Sequence, residues 1–238
     1  MTTNGRAMPV TLDEDGVAAT ITVDDGKVNA LTLEILSLVN DALDQAALGG
    51  LPVVLIGREG RFCAGFDLPT LTGGGSEGPL LLQRGFELAE RMLSFPLPIV
   101  AACTGHALAM GSFLLLSADF RVGAQGPFKI GANEVALGMT MPLAAVEICT
   151  LRLSPTYLTR AVVNAEIFTP DAAVAAGFLD VVVAPDAIRA RASDAATALG
   201  LVNLRAHAAT KLRTRRGALV ALRAAIDQDV EAFRRLVG

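Results

Sequence analysis

The sequence predicts an α/β fold followed by a helical C-terminal region. Two short apolar segments, Pro52 to Gly57 and Pro98 to Thr104, have the length and residue types of buried strands. Small-residue turns follow these strands, and helical sequence comes later in each unit. From Pro185 onward the chain is helical and rich in alanine. We therefore expect a core over residues 1–184 and a C-terminal helical oligomerisation region over residues 185–238.

The individual elements follow from periodicity and turn residues. Alternating apolar residues on both sides of Asp15-Gly16 predict a two-stranded hairpin. Thr32 is a suitable N-cap for a helix with one apolar face. Proline at Pro96 and Pro98 ends another helix, because proline supplies no N–H. The predicted strands are residues 9–14, 17–23, 52–57, 98–104, 120–124, 128–130 and 178–183, and the predicted helices are residues 32–47, 79–94, 142–153, 156–164, 169–177, 187–199, 204–213 and 218–236.

Composition excludes several classes of protein. Of the 238 residues, 52% are hydrophobic, which is enough for a large core and argues against disorder. The longest apolar stretch, Ala107 to Leu116, is too short for a membrane span and contains Gly111 and Ser112. The N-terminal segment lacks the apolar region of a signal peptide, so we expect a cytoplasmic protein. A net charge of −4 argues against nucleic acid as a partner.

The sequence has three cysteines, an odd number, at Cys63, Cys103 and Cys149. They are widely spaced and surrounded by apolar residues. This pattern is typical of reduced, buried thiols and offers no metal-ligand spacing. Cys63 lies beside a turn where a nucleophile would be useful, but no base in the sequence has a clear claim on it. We expect no metal and no thiol chemistry.

Two turns and one glutamate point to chemistry on a polarised oxygen. The run from Gly105 to Asp119 reads as a turn of small residues followed by a buried helix, whose first N–H groups have no partner inside the helix. A second turn, Phe62 to Leu68, contains Ala64 and Gly65 and leaves another backbone N–H open to approach. Two such donors stabilise an enolate oxygen, and Glu134 is a carboxylate in a weakly charged segment that would move the proton.

Four segments in this order resemble the crotonase family, the enoyl-CoA hydratases and isomerases. They are Lys27-Val28-Asn29-Ala30-Leu31, Phe62 to Leu68, Gly105 to Asp119, and Asn133-Glu134-Val135-Ala136-Leu137-Gly138. The resemblance extends over residues 10–235. It implies a spiral of repeated β-β-α units with C-terminal helices that pack trimers, so a homotrimer or a dimer of trimers is expected. It also implies an acyl-CoA substrate from fatty acid metabolism, with coenzyme A as part of the substrate and no further cofactor.

The resemblance implies a set of site residues. The N–H groups of Ala64 and Met110 match the oxyanion hole of the family, and Glu134 matches a catalytic glutamate. The Met110 side chain stands where relatives usually have glycine, so a tighter pocket is expected. The implied substrate-binding residues are Lys27, Val28, Ala30, Cys63, Gly65, Phe66, Asp67, Leu68, His106, Ala109, Gly111 and Phe113. Two of the positions remain open: Asn29 either borders the site or stabilises a turn, and the His106 ring either contacts the ligand or points elsewhere.

Phe113 is the informative departure from the family pattern. Family hydratases hold a water between two glutamates, and Phe113 stands at the position of the first one. A phenyl ring neither holds that water nor donates a proton, so hydration is disfavoured. A single carboxylate at Glu134 is sufficient to move a double bond, which favours isomerisation.

Four alternatives remain at this stage. Glu147 or Asp67 would restore hydration if either side chain supplied a second carboxylate. A non-catalytic acyl-CoA-binding protein would also tolerate Phe113, although the retained Glu134 speaks against it. A serine hydrolase at Ser112 is disfavoured because the surrounding residues lack the second glycine of a nucleophile elbow. A structural role for Glu134, capping the turn near Gly138, is the remaining alternative to catalysis.

The C-terminal region carries an excess of positive charge. Its basic residues are Arg205, Lys211, Arg213, Arg215, Arg216, Arg223, Arg234 and Arg235. They either contact coenzyme A phosphates or lie on solvated helix faces. Many family members carry a further basic and aromatic tail after the position of Gly238, so coenzyme A contacts of such a tail are expected to be missing or replaced here.

Overall fold

A six-stranded sheet forms the centre of the computed structural model, which describes residues 2–3 and 6–237, with side chains described for residues 8–236. The strands are β1 (Thr2–Thr3), β2 (Arg6–Ala7), β3 (Val10–Glu14), β4 (Ala19–Val23), β5 (Ala30–Leu31), β6 (Val53–Gly57), β7 (Gly60–Cys63), β8 (Gly65–Phe66), β9 (Ile99–Cys103), β10 (Gly105–Leu108), β11 (Phe120–Ala124), β12 (Ile130–Gly131) and β13 (Val181–Val183). The central sheet has the order β13-β11-β9-β6-β4-β3, and only β3 within it is antiparallel to its neighbour.

The helices cover both faces of this sheet. They are α1 (Leu33–Gly49), α2 (Leu68–Thr72), α3 (Glu77–Ser94), α4 (Met110–Ser117), α5 (Leu143–Arg152), α6 (Pro155–Leu158), α7 (Pro170–Ala176), α8 (Ile188–Gly200) and α9 (Leu204–Val237). Short 3₁₀ turns lie at Val135–Leu137 and Pro185–Ala187, and a π turn lies at Thr159–Val163. Among the described helices, none combines the length and the apolar sequence needed to cross a bilayer.

Successive side chains of the central strands point to opposite faces of the sheet, and this divides the apolar core into two clusters. In β6, Val53 and Leu55 belong to the larger apolar cluster, while Val54 and Ile56 belong to a smaller one on the opposite face. The smaller cluster is covered by Ile188 and the alanines of α8. Because both faces are buried, β6 and β9 are apolar throughout rather than alternating with polar residues.

Two smaller sheets lie beside the central one and carry the functional turns. β12, β10 and β7 form a parallel sheet, and β5 pairs in parallel with β8. We predicted Gly105–Leu108 as part of a turn; it is a strand because it pairs with β7 on one side and β12 on the other. The predicted cap at Thr32 is confirmed, because its side chain accepts a hydrogen bond from the Ile35 N–H. Thr169 accepts one in the same way from the Ala172 N–H.

The prediction of two separate C-terminal helices was wrong, because α9 is continuous through Gly217. Lys211 and Arg215 hold its first half to the core through Asp119, at 2.6 Å and 2.9 Å. Packing of this kind outweighs the roughly 1 kcal/mol that a glycine costs inside a helix. α9 runs along α3 and α5, and the division into two domains at residue 184 stays a prediction.

The structure corrects both readings for two of the eight basic residues, Lys211 and Arg215, whereas the other six are exposed. The Lys211 ammonium donates to Asp119 and to the carbonyls of Phe95 and Leu97, and it is buried. Arg215 is buried with it, so neither side chain is solvated or available to coenzyme A. Arg223 pairs on the surface with Glu87 and Glu90 of α3.

Candidate active site

A cavity of about 770 Å³ lies where the two small sheets meet α2, α3 and the end of α9. Nine of the residues predicted from sequence line it, namely Val28, Ala30, Ala64, Phe66, Asp67, Leu68, Ala109, Phe113 and Glu134. The lining does not include Lys27, Cys63, Gly65, His106, Met110 or Gly111. Further lining residues that the sequence analysis did not single out are Pro69, Leu71, Leu82, Phe86, Asn133, Leu137, Gly138, Met139, Thr140, Pro142, Phe233 and Leu236.

The two predicted turns do come together. Gly65 has φ +100°, and a Cβ at this position would lie 2.9 Å from the Ala109 Cβ and 3.5 Å from the Met110 N. Only glycine permits this approach of β8 to the start of α4. Ala109 itself has φ +48° and ψ −129°, which is strained for a residue with a side chain. Its N–H donates to the Gly131 carbonyl over 3.1 Å, which helps to hold the strained turn in place.

Gly111 and Cys63 serve packing rather than ligand contact, which corrects our expectation for both. A Cβ on Gly111 would lie 2.2 Å from the Cys63 carbonyl oxygen, so the missing side chain is needed for α4 to reach β7. Cys63 is buried, and burial raises the pKa of its thiol to about 12. This thiol is neither a nucleophile nor a ligand contact.

Met110 offers a backbone donor at the site, whereas the N–H of the other predicted donor, Ala64, is engaged. No described residue accepts a hydrogen bond from the Met110 N–H, which lies in the first turn of α4. The Ala64 N–H, however, donates to the Val28 carbonyl over 3.2 Å, so this predicted donor is already in use. The alternative donor in the same turn is the N–H of Phe66, two residues later.

The Phe66 N–H is not used in the pairing of β8 with β5. The Asp67 N–H donates to the Leu31 carbonyl of β5 over 2.9 Å. Successive N–H groups of a strand point to opposite edges, so the Phe66 N–H points away from β5. We therefore take Phe66, instead of the engaged Ala64, as the candidate second donor of this turn.

Glu134 is buried, with 6% of its surface exposed, and it lines the cavity. Burial raises the pKa of its carboxyl from 4.5 to about 7. Its Oε2 has no hydrogen-bond partner among the described residues. The turn that follows is closed by backbone alone, with the Glu134 carbonyl accepting from the N–H groups of Leu137 and Met139. A capping role for its side chain is therefore wrong, and the carboxylate is free to exchange a proton near neutral pH.

Phe113 lies in a group of aromatic rings at the cavity wall. Its ring stacks on Phe86 with centroids 6.0 Å apart, and Phe86 meets the edge of Phe66 at 6.2 Å. Phe113 is 1% exposed, so the position of the first hydratase glutamate is filled by a dry aromatic surface. The Phe113 ring itself offers no polar group for a water.

Neither alternative carboxylate replaces that glutamate. Asp67 lines the cavity, but its Oδ2 accepts from the Thr70 N–H at 3.1 Å and the Thr70 hydroxyl at 2.7 Å, as the N-cap of α2. Glu147 is on α5 and is absent from the lining. Ser112 is buried and donates its hydroxyl proton to the Ala109 carbonyl over 2.8 Å. Hydration through a second carboxylate and hydrolysis through Ser112 both lack their residues here.

The remaining predicted residues lie around the site. Asn29 is buried and donates its amide to the Val23 and Phe62 carbonyls, so it stabilises the loop that carries Val28. His106 accepts a hydrogen bond from the Lys129 N–H at Nδ1, which keeps its ring outside the cavity.

The prediction that Met110 narrows the pocket was wrong, because its side chain lies toward α3. Its Cγ is 3.6 Å from where a Cβ on Gly85 would be. Lys27 is exposed beside Val28, which is 42% exposed and lines the cavity.

Comparisons with known proteins agree with this geometry. The family model for enoyl-CoA hydratase/isomerase matches residues 13–237, so the chain belongs to this family, the crotonases, and is an enzyme of this type. A probable enoyl-CoA hydratase of Bacillus subtilis is 35% identical over 142 residues, 58% of this chain and 55% of that protein. The match thus spans just over half the length of this curated relative.

Similar crystal structures cover nearly the whole chain. An enoyl-CoA hydratase/isomerase family protein from Pseudomonas syringae has a TM-score of 0.92 at 45% identity, covering 94% of this chain and 97% of that one. An enoyl-CoA isomerase from Mycobacterium tuberculosis has a TM-score of 0.90 at 45% sequence identity, and the match covers 94% of this chain and 98% of that one. The human mitochondrial Δ3-Δ2-enoyl-CoA isomerase has a TM-score of 0.90 at 26% sequence identity, and the match covers 97% of this chain and 92% of that one. The predicted fold class is confirmed.

Proposed function

We propose that this protein isomerises the double bond of a fatty acyl-CoA thioester, converting a 3-enoyl-CoA into a 2-enoyl-CoA. The observation that carries the proposal is a cavity lined by one buried carboxylate, Glu134, whose Oε2 has no partner among the described residues, and by a phenyl ring, Phe113, at the position of the second. Proton transfer from one carbon to another on the same substrate needs one carboxylate and no water. Isomerases among the similar structures support the same assignment.

The thioester oxygen accepts hydrogen bonds from the N–H groups of Phe66 and Met110. Each fixed donor of this kind contributes about 3 kcal/mol to stabilising the negative oxygen of the transition state. Support comes from the contact between β8 and α4, which brings both backbone segments to one place. The coenzyme A moiety of the bound substrate extends out of the cavity past Val28 and Ala30. There the exposed Lys27 offers a positive charge to a phosphate.

Glu134 carries the proton. As a carboxylate it removes a proton from C2 of the 3-enoyl-CoA, and the electron pair moves into the thioester to give a dienolate. The protonated Glu134 then returns the proton to C4, and the double bond forms between C2 and C3. Atoms and charge balance without water or an external acid. A carboxyl group with a pKa of about 7 is suited to both halves of this exchange at neutral pH.

Assembly and location form a further part of the proposal. We propose a homotrimer or dimer of trimers built through the C-terminal helices. Leu201 and Val220, which are 85% and 68% exposed on this region, support a contact between copies. Light scattering on the purified protein measures this directly. A cytoplasmic location stays a prediction.

The test is to incubate the purified enzyme separately with a 3-enoyl-CoA and a 2-enoyl-CoA and to follow mass and absorbance. We expect the 3-enoyl-CoA to change absorbance without a change in mass. Glu134→Gln should lower kcat/KM about 10³-fold, because the neutral amide cannot accept the proton. Glu147→Gln, a matched change outside the cavity, should stay close to wild type.

Two results would contradict the proposal. Rapid addition of water to the 2-enoyl-CoA would identify a hydratase that obtains its second polar group elsewhere. Tight binding of both thioesters without turnover would instead identify an acyl-CoA-binding protein.

A further inference from the structure

The end of α9 forms part of the cavity wall. Phe233 and Leu236, in the last turns of the helix, line the same cavity as Glu134. These residues come from the region that we expected to serve oligomerisation. Their presence at the cavity means that the C-terminal helix also shapes the space open to a ligand.

The position of Phe233 is fixed from two sides. One helical turn before it, Asp229 accepts hydrogen bonds from the Leu143 N–H at 2.9 Å and the Ala144 N–H at 2.8 Å, at the start of α5. On the other side, the Phe233 Cε1 lies 3.2 Å from where a Cβ on Gly78 of α3 would be. The ring therefore lies against α3, on a helix that Asp229 ties to the start of α5.

The wall that Phe233 joins is apolar. A Cβ on Gly78 would also lie 2.6 Å from the Leu71 carbonyl oxygen, so Phe233 and Leu71 are neighbours at this end. Leu82, Phe86 and Leu137 continue the same surface. The same cavity is also lined by Glu134 and by Ala109, next to the start of α4. An unbranched hydrocarbon chain fits this part of the cavity, and a charged or hydroxylated chain does not.

We propose that Phe233 sets the length of the acyl chain that this cavity accepts, with its ring stopping the chain between α3 and α5. The inference rests on the proposed function, because it takes an acyl-CoA as the ligand. It adds a specificity-determining residue that lies about a hundred positions after Glu134 in the sequence and acts without touching the reacting atoms. Removing the ring opens the wall, and a longer chain then buries further methylenes.

The test measures binding rather than turnover. Calorimetry with saturated, unbranched acyl-CoAs of increasing length gives Kd for the wild type, Phe233→Ala and Phe233→Leu. For the wild type, we expect Kd to fall about fourfold per added methylene until the chain meets the ring, and then to level off. In Phe233→Ala, Kd should stop falling at an acyl chain about two or more carbons longer than in the wild type. In Phe233→Leu, the chain length at which Kd levels off should lie between these two values. Leu212→Ala, on the exposed face of the same helix, is the matched control.

The outcomes separate this inference from the proposed reaction. If the point of levelling moves in the variants but no thioester is isomerised, the chain-length role holds and the reaction is wrong. If isomerisation occurs and the point of levelling is the same in all three proteins, the inference is wrong. Phe233→Leu keeps the apolar contact with α3, so loss of folding in the alanine variant does not remove the test. Failure of every acyl-CoA to bind would overturn both.

Discussion

The Asp119 side chain is 9% exposed and Glu134 is 6% exposed, but the surroundings of the two carboxylates are opposite. Asp119 accepts hydrogen bonds from the Lys211 ammonium, the Arg215 guanidinium and the Ile99 N–H. Glu134 has an oxygen without any partner among the described residues, and burial is the main influence on its pKa. One carboxylate joins three parts of the fold, and the other faces a cavity.

The difference shows that burial alone does not make a carboxylate reactive. A buried carboxylate that is surrounded by cations and donors stays ionised and fixed, so it contributes to structure. A buried carboxylate without such partners is held close to protonation and exchanges its proton readily. Changes at the two residues should therefore move different properties of the protein, stability in one case and proton chemistry in the other.

The largest effect on stability should come from Asp119→Ala. This change leaves the charges of Lys211 and Arg215 buried without their partner, which costs about 3–5 kcal/mol in a protein interior. Urea denaturation monitored by circular dichroism measures the loss. The exposed Asp186→Ala should change the free energy of unfolding by less than about 0.5 kcal/mol. A loss at Asp119 as small as that of the control would mean that the ion cluster does not hold α9.

Whereas Asp119→Ala should destabilise the protein, Glu134→Gln should stabilise it, and only above acidic pH. The pKa of Glu134 is about 7 in the folded protein, against an ordinary value of 4.5. The folded state therefore holds the proton more tightly, and stability falls as pH rises from about 4.5 to 7. By pH 8 this loss reaches about 3 kcal/mol, which the glutamine variant avoids.

Urea denaturation of both proteins at about pH 5 and pH 8 measures this difference. We expect the glutamine variant to be clearly more stable than the wild type at the higher pH and close to it at the lower. An equal difference at both values would show that Glu134 is not desolvated in solution.

The rate of isomerisation should follow the same ionisation. The free enzyme needs Glu134 as a carboxylate to remove the C2 proton, so kcat/KM should rise about tenfold per pH unit below about 7 and level off above it. Initial rates across this range, with the thioester in limiting amounts, give the profile. A midpoint near 4.5 would mean that an ordinary, solvated carboxylate is responsible, and a fall with rising pH would require an acid instead.

The sequence was sufficient for most of the fold and for singling out Glu134, which lines the cavity. Apolar five-residue strands, the N-caps at Thr32 and Thr169 and the glycine at Gly177 are local signals, and local interactions decide these elements. The position of Phe113 opposite Glu134 came from motif spacing, which a helix and a turn preserve.

The errors concern partners that are distant in sequence. The use of the Ala64 N–H depends on pairing with Val28, and the helix through Gly217 depends on Lys211 reaching Asp119, 92 residues earlier. In the sequence, Phe233 is one apolar residue in a helical stripe, and nothing in that pattern indicates that it lines the cavity. No local pattern says which face of α9 meets the cavity, because this is decided by the contacts of α9 with α3 and α5.

Asp67 is an intermediate case between the two carboxylates, and it should give the smallest effect. It lines the cavity as Glu134 does, but like Asp119 it is engaged, here by the N–H and hydroxyl of Thr70 at the start of α2. Asp67→Ala removes this cap and should cost about 1 kcal/mol of stability, whereas Asp67→Asn keeps a cap of similar quality and should cost only a few tenths. Urea denaturation of the two variants resolves the difference. Equal losses in both would show that the negative charge, and not the cap, is what the protein needs at this position, and Asp67 would then resemble Asp119 in stabilising the fold through its charge.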